Sequence, residues 1–362
     1  MAEPIPVTIV TGFLGSGKTT LVNQLLRDPD FVETAVLINE FGDIQVDHDL
    51  VAGFSDELIT TTTGCLCCTA SSDISQSLLD LLARREREEI PSFKRVIVET
   101  TGLMDPIPVL AAFLTQPAYN LNGGALKGRF VLSRMVTLFD IITGPNTLDY
   151  HEEALKQLAL ADIVLLTKTD LAMDPATQQD ILEDRKRISA INPGAVIVDR
   201  KNDWEKTRGF FLECSAYDLR TKGEDAENWL NIEVTQNEDH HGHKHHHGHN
   251  HDHDHKHSNR HGDDISSDVI IAEKPISPVA FSFFLDALKM IAGTDLLRIK
   301  GLIALSDNPE RPLVIHGVQH LIHPIERLER WPSQDQRTKI VLIGKNIDVI
   351  ALKTVISQLE HS

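Results

Sequence analysis

The chain contains few cysteines, few aromatic residues and little positive charge. Its 362 residues include four cysteines, three tryptophans and three tyrosines, and aromatic residues make up 5%. Four thiols are too few for a scaffold held together by disulfides. The 35 basic and 53 acidic residues give a formal net charge of −18. This charge disfavours binding to nucleic acids and to anionic membrane surfaces, because both repel negative charge.

Long apolar runs are lacking as well. No segment reaches the roughly 18 apolar residues that a membrane-spanning helix needs. The first residues, MAEPIPVTIVTG, have neither the basic nor the apolar region of a secretion signal. We therefore expect a cytoplasmic protein without nucleic acid or membrane partners. The length is typical of two domains, with enough chain to bury at least one large core.

Short apolar segments alternate with helical patterns in the first part of the chain. Such alternation predicts an α/β fold, in which helices flank a mostly parallel sheet. The predicted strands are 6–11, 34–39, 95–100, 134–140, 162–168 and 195–199, and predicted helices include 72–89 and 175–192.

The composition changes abruptly near residue 238. Residues 238–264 contain almost no apolar side chain, so they cannot offset the entropy cost of ordering, and we expect a flexible linker. The segments that follow predict a smaller α+β unit. The predicted organisation is a P-loop domain at 1–225, an acidic and His-rich linker at 226–268, and an α+β domain at 269–362.

The stretch GFLGSGKT, residues 12–19, has the G-x-x-x-x-G-K-T spacing of a phosphate-binding P-loop. It follows a predicted strand and precedes a predicted helix, which is the context that this motif requires. Gly12, Gly15 and Gly17 allow the backbone to fold around phosphates, whose charge the helix N-terminus attracts. Lys18 is predicted to reach the terminal phosphates, and Thr19 to offer its hydroxyl to Mg²⁺.

A second Mg²⁺-side element is expected at the end of a neighbouring strand. The segment RVIVETTG, residues 95–102, ends an apolar strand in Glu99 and continues to Gly102, which could approach a γ-phosphate. Many P-loop enzymes have Asp at this place. We therefore predict that Glu99 acts on the Mg²⁺ side, through water.

The segment LLTKTDL, residues 165–171, is the candidate base-recognition loop. A carboxylate at Asp170 can accept hydrogen bonds from two donors of guanine, and adenine lacks that pair, so the segment favours GTP. Thr167 and Lys168 complete the motif. The usual version begins with Asn, and Thr167 can hold the loop by one hydrogen bond but cannot copy both sides of an amide.

Three of the four cysteines are crowded into TTTGCLCCT, residues 61–69. Thiolates are soft ligands that suit Zn²⁺ and related ions, so Cys65, Cys67 and Cys68 can occupy three corners of a tetrahedral site. Glu40 and Asp43, in INEFGDIQVD, are candidates for the remaining position. A catalytic disulfide remains the alternative, although redox pairs normally have C-x-x-C spacing.

Twelve of the eighteen histidines lie between His240 and His261. Neutral imidazoles bind Zn²⁺, Ni²⁺, Co²⁺ and Cu²⁺. A segment without fixed geometry is expected to bind several ions loosely and to exchange them quickly. The alternative is a polar linker that only increases solubility.

Taken together, these motifs resemble the CobW family of metal-handling P-loop GTPases, which is related to UreG and HypB. TGFLGSGKTTL, INEFGDIQVD, TTTGCLCCT, VIVETTGLMDP and TKTDL follow in the family's order. The resemblance implies a GTP-dependent metallochaperone or metallocofactor insertase, usually for zinc, with cobalt or iron in some branches. It assigns the phosphates and Mg²⁺ to Gly12, Gly15, Ser16, Gly17, Lys18, Thr19 and Thr20, the acidic role to Glu99, and metal ligation to Cys65, Cys67, Cys68 and the candidate Glu40. Thr167 stands where the family usually has Asn.

The resulting interpretation is a GTPase, with Lys18, Thr19 and Glu99 as catalytic residues, that couples GTP hydrolysis to the transfer of a metal. The expected ligands are GTP or GDP, Mg²⁺ and Zn²⁺, with Co²⁺ as an alternative metal, and the expected partner is a metalloprotein client. Two other classes stay open: a metal-storage protein with a vestigial nucleotide domain, and a P-loop kinase acting on a small molecule. The sequence does not identify the client or the oligomeric state.

Overall fold

The structure is a computed structural model that describes residues 3–39, 58–61, 66–114, 126, 128–172, 175–212, 265–319, 321–322 and 325–359. In these ranges the strands are β1 Ile5–Gly12, β2 Thr34–Asn39, β3 Leu58–Thr61, β4 Arg95–Glu99, β5 Phe130–Asp140, β6 Ile163–Thr167, β7 Val196–Asp199, β8 Ile265–Ala272, β9 Leu296–Ile303, β10 Leu313–Val318, β11 Leu321–Ile322, β12 Glu326–Arg327 and β13 Thr338–Lys345. The α-helices are α1 Lys18–Leu26, α2 Leu66–Glu86, α3 Pro106–Leu114, α4 Gly144–Tyr150, α5 Glu152–Ala159, α6 Pro175–Ile191, α7 Trp204–Leu212, α8 Pro278–Ile291 and α9 Val349–Leu359. None of these helices is long and apolar enough to cross a membrane.

The N-terminal strands form one parallel sheet in the order β3-β2-β4-β1-β5-β6-β7. Apolar residues of β1, β4, β5 and β6 are buried on both faces, as expected for a sheet between two helical layers. The prediction of an α/β fold is thus confirmed. The edge strand β3 was not predicted, because LITT is short and half of it is threonine.

Parallel strands bring their carboxyl ends to a single edge of the sheet, where ligands of such folds usually bind. β1 ends at Gly12, β4 at Glu99, β5 at Asp140 and β6 at Thr167. The register pairs Val10 with Glu99 and Asp140 with Thr167, so these strand ends lie level with one another. This edge collects the predicted phosphate, Mg²⁺ and base residues.

The C-terminal unit is an antiparallel sheet of β11-β10-β9-β13-β8, and β12 pairs with β10. Helices α8 and α9 cover one face, where Phe281, Phe284 and Leu352 pack against the buried side chains of the strands. The predicted α+β class is confirmed.

The first strand of this unit begins inside the range that the sequence assigns to the linker. β8 starts at Ile265, whereas the predicted linker runs to residue 268. The strand lies at the sheet edge, and three polar residues follow Ile265 in its sequence ISSDVIIA, so its first half does not resemble a strand. Residues 213–264 lie outside the described ranges, so the flexible linker stays a prediction.

The other face of the C-terminal sheet packs against the N-terminal unit. Val318, Val341 and Ile343 belong to the same buried apolar cluster as Leu155 and Leu158 of α5. Because this cluster is continuous, the two units share one core at their boundary.

A buried ionic group lies in the same boundary. Asp162, between α5 and β6, accepts hydrogen bonds from Arg298 and from Lys300 of β9, the second at 3.2 Å. Arg298 also donates to the carbonyl oxygen of Leu160. Burial, together with the charge of Arg298, lowers the pKa of Lys300 to about 8, although Asp162 acts in the opposite direction. At the boundary between the two units, one carboxylate therefore pairs with two basic side chains.

Candidate nucleotide and metal site

The P-loop has a backbone that requires glycine. Gly12, Gly15 and Gly17 have φ values of 138°, 73° and 94°, which L side chains rarely adopt. At Gly12 an added Cβ would also lie 2.5 Å from the carbonyl oxygen of Leu138. Helix α1 begins at Lys18, directly after the last of these glycines, so its N-terminal N–H groups face the loop.

Lys18 and Thr19 point back to the carboxyl edge of the sheet. The Nζ of Lys18 donates to the carbonyl oxygens of Gly12 at 2.8 Å and Phe13 at 3.1 Å. The Oγ1 of Thr19 donates to Oε1 of Glu99 at 2.6 Å, and Glu99 is only 4% exposed. A hydroxyl and a carboxylate in contact form a hard oxygen donor set, which fits Mg²⁺. Thr20 follows as an exposed residue of α1.

The candidate base loop is tied to the P-loop. The Oγ1 of Thr167 donates to the carbonyl oxygen of Ser16 at 2.9 Å. Both side chains are buried. Asp170 lies in the 3-10 turn that follows β6, half-exposed, with Nζ of Lys201 3.6 Å from its carboxylate. A half-exposed carboxylate at this edge can accept hydrogen bonds from a bound base.

Asp140, at the end of β5, was not among the predicted site residues. Its Oδ2 accepts from Nζ of Lys168 at 2.6 Å and from Oγ1 of Thr143 at 2.8 Å, and its Oδ1 accepts from the N–H of Ile142 at 2.9 Å. Burial raises the pKa of Asp140, but the bond from Lys168 and the two local bonds outweigh burial and leave the pKa below its usual range. Asp140 thus stays ionised and holds Lys168, whose φ of 61° is unusual for a residue with a side chain. A carboxylate at a strand end was the signal that could have identified it, as it did Glu99.

The loop after β4 approaches the P-loop closely. A Cβ added to Gly102 would lie 2.6 Å from the backbone nitrogen of Leu14, so only glycine allows this approach. The neighbouring Thr101 is buried. The loop therefore lies beside the backbone that is predicted to bind phosphate.

The predicted metal ligands fall largely outside the described residues. Glu40, Asp43 and Cys65 lie in the gaps, and Cys67 and Cys68 lie on α2 with only their backbone described. β3 ends at Thr61, at the carboxyl edge of the sheet, and α2, which carries Cys67 and Cys68, begins at Leu66. Among the side chains that are described, no group of three or more His, Cys, Asp or Glu could hold a metal ion. The His-rich segment also lies in a gap.

Two family comparisons cover both units of the chain. Residues 6–198 match the CobW/HypB/UreG nucleotide-binding domain, and residues 265–360 match the cobalamin synthesis protein CobW C-terminal domain. The chain belongs to the CobW/HypB/UreG family. The predicted resemblance is confirmed, and the P-loop edge described above lies within the residues that match the nucleotide-binding domain.

Relatives of similar length carry related names. The zinc chaperone YjiA of Escherichia coli is 29% identical over 94% of this chain and 94% of its own length. The zinc chaperone CobW of Pseudomonas aeruginosa is 31% identical over 96% of this chain and 89% of its own. The crystal structure of Zn(II)-bound YjiA GTPase from E. coli covers 99% of both chains with a TM-score of 0.66 at 24% identity. This likeness shows that the two chains share the fold.

Proposed function

We propose that this protein is a GTP-dependent metallochaperone, which binds a transition metal, zinc, and couples GTP hydrolysis to transfer of the metal to a client protein. The observation that carries the proposal is the hydrogen bond of 2.6 Å from Oγ1 of Thr19 to Oε1 of Glu99. It lies at the same edge of the sheet as the candidate base loop. Membership of the family and the zinc chaperone names of full-length relatives support it.

In this proposal each residue at the edge has a separate task. Lys18 binds the terminal phosphates, Thr19 and Glu99 hold Mg²⁺, and Asp170 accepts from guanine, with Lys168 held beside it by Asp140. Mg²⁺ neutralises charge on the phosphates when it is bound. The buried positions of Lys18 and Glu99 strengthen these electrostatic interactions, since the local dielectric is lower than in water.

The metal is the cargo and is taken by Cys65, Cys67 and Cys68, with Glu40 or Asp43 as the fourth ligand. β3, whose end precedes the cysteines, pairs with β2, whose end precedes Glu40, and β2 pairs with β4, which ends at Glu99. Because these strand ends are neighbours, the proposed metal ligands follow strands that lie next to the nucleotide site. Cysteine thiols lose their protons when they bind metal as thiolates, so binding weakens at low pH.

The test measures Zn²⁺ affinity of the full chain by titration calorimetry, once with a non-hydrolysable GTP analogue and once with GDP. We expect different affinities, because coupling requires one nucleotide state to bind the metal better. Cys67→Ser should weaken zinc binding and leave nucleotide binding intact. Cys214→Ser, which alters the one cysteine outside the motif, should change neither.

Four results would contradict parts of the proposal. Equal Zn²⁺ affinity in both nucleotide states would remove the coupling and favour metal storage, and so would unchanged cellular function of Lys18→Ala. Conversion of GTP to GDP only in the presence of an added acceptor, with the phosphoryl group found on that acceptor, would instead identify a small-molecule kinase. Loss of nucleotide binding together with zinc binding in Cys67→Ser would identify a structural thiol site.

A further inference from the structure

Gln157 of α5 holds the loop that follows β4. The side chain is 1% exposed, and its Nε2 donates to the carbonyl oxygens of Gly102 and Met104, each at 3.1 Å. The backbone carbonyl of Gln157 accepts from Oγ1 of Thr137 at 2.8 Å, which ties this turn of α5 to β5. One buried amide thus uses both of its N–H groups on two carbonyls of a single loop.

One of the two carbonyls that Gln157 binds belongs to Gly102, which touches the P-loop. Gly102 lies so close to Leu14 that a Cβ would come within 2.6 Å of the Leu14 nitrogen. Gly102 also follows the Mg²⁺-side residue Glu99 by three positions. The loop is therefore held between the phosphate-binding backbone on one side and Gln157 on the other.

Helix α5 is a firm support for this contact. Lys156 bonds to Asp105 in the same loop at 2.8 Å, and Glu152 bonds to Lys345 of the C-terminal sheet at 2.7 Å. The opposite end of α5 is held by Asn192, whose Nδ2 donates to the carbonyl oxygens of Leu158, Ala159 and Ala161. Both ends of the helix are held by side-chain contacts, so α5 resists a displacement of the loop.

We propose that Gln157 is a positioning residue for the γ-phosphate: it holds Gly102 at the distance from the P-loop that a triphosphate requires, without touching the nucleotide. The inference rests on the proposed GTPase function and names a residue on which hydrolysis depends. GDP ends at the β-phosphate, which the P-loop and Lys18 bind. The contribution of Gln157 is consequently specific to GTP.

The experiment compares the full-length wild type with Gln157→Met, which keeps the side-chain volume and removes both donors. We expect the affinity for a non-hydrolysable GTP analogue and the kcat for GTP to fall between about ten- and 100-fold, as for other misplaced reacting groups. The affinity for GDP should stay within about two-fold. If Gln157→Met does not fold, Gln157→Glu is the second variant, since it has the same shape and turns an oxygen towards both carbonyls. It should likewise weaken binding of the GTP analogue while GDP binding is preserved.

Asn192→Leu is the matched control. It also removes a buried amide from backbone carbonyls, but its three acceptors, Leu158, Ala159 and Ala161, all lie outside the loop that follows β4. It should lower the melting temperature by a similar amount while preserving the ratio of analogue affinity to GDP affinity.

Equal losses for GDP and the analogue in the Gln157 variants, or no loss for either, would overturn the proposal, because a merely structural amide cannot distinguish the two nucleotides. So would a changed ratio in Asn192→Leu. Absence of GTP hydrolysis in the wild type would contradict the proposed function, whereas the affinity ratio would still decide the role of Gln157.

Discussion

The hydroxyl of Thr167 donates to the main-chain carbonyl oxygen of Ser16 at 2.9 Å, across 151 positions of the chain. The carbonyl oxygen of Phe139 lies 3.3 Å from the same hydroxyl. A hydroxyl has one proton and can serve only one of these carbonyls at a time, whereas an amide has two. Thr167 therefore joins the base loop to the P-loop by a single bond.

Thr167→Val tests this joint, because valine keeps the shape and removes the donor. The loss of one buried hydrogen bond should lower the free energy of unfolding by about 1 kcal/mol and weaken GDP binding about five-fold. Chemical denaturation and GDP titration measure the two effects. Thr34→Val is the control, since the buried Oγ1 of Thr34 has no hydrogen-bond partner within the described part of the chain. Equal effects in the two variants would contradict the prediction.

Asp170→Asn tests base recognition. An amide can donate to the 2-carbonyl of xanthine but cannot accept from both donors of guanine. The affinity for GDP should fall about 100-fold or more, and the affinity for xanthosine diphosphate should rise. Competition binding with both nucleotides measures the change, and Asp180→Asn, at an exposed position of α6, should leave the preference unchanged. Retained preference for guanine in Asp170→Asn would exclude the assigned role.

The buried Lys300 makes the free energy of unfolding depend on pH in the alkaline range. Its pKa is about 8 in the folded protein, against a usual value of 10.5. Below pH 8 the amine is charged in both states and the folded state bears the cost of burying it, while above 10.5 it is neutral in both. The free energy of unfolding should therefore gain up to about 1.4 kcal/mol per pH unit from this group between pH 8 and 10.5.

Lys300→Met should remove that gain, and Arg298 still pairs with Asp162 in the variant. Urea denaturation at several pH values measures the slope. The exposed Lys289→Met should keep the slope of the wild type. If wild type and Lys300→Met have parallel curves over this range, the pKa assignment is wrong.

Asp184 of α6 has the opposite pH dependence. It is 7% exposed and its Oδ2 has no hydrogen-bond partner among the described residues. Burial raises its pKa to about 6, although Arg187 acts to lower it. Its folded pKa exceeds the unfolded value of 3.8, so stability is lost as pH rises from about 4 to 6.

Asp184→Asn, which cannot ionise, should therefore raise the free energy of unfolding at pH 7 by about 1–3 kcal/mol and have little effect below pH 4. Denaturation at pH 4 and pH 7 gives both values. The neighbouring Glu183→Gln, an exposed member of an ion pair with Lys186, should change stability by less than about 1 kcal/mol. A destabilised Asp184→Asn at pH 7 would contradict the prediction.

Sequence patterns located the main strands and the P-loop because their signals are local. The apolar runs of β1, β2 and β4 and the glycine spacing of residues 12–17 each lie within a few consecutive positions. The patterns did not find β3 or β8, whose polar residues resemble loops, and both strands lie at sheet edges. Asp140 ends a predicted strand as Glu99 does, but its neighbours in the sequence do not show that Lys168 lies beside it.

A P-loop motif, a candidate guanine-binding loop and a cluster of three thiols can be recognised in the sequence, because in each case the required atoms come from neighbouring residues. The contacts of Thr167 with Ser16, of Asp140 with Lys168 and of Gln157 with Gly102 follow from the tertiary fold alone. These partners are 151, 28 and 55 positions apart. The first two pairs meet because parallel strands end at one edge, and the third because α5 packs beside the loop that follows β4; both depend on the order of the strands in the sheet, which no local pattern encodes.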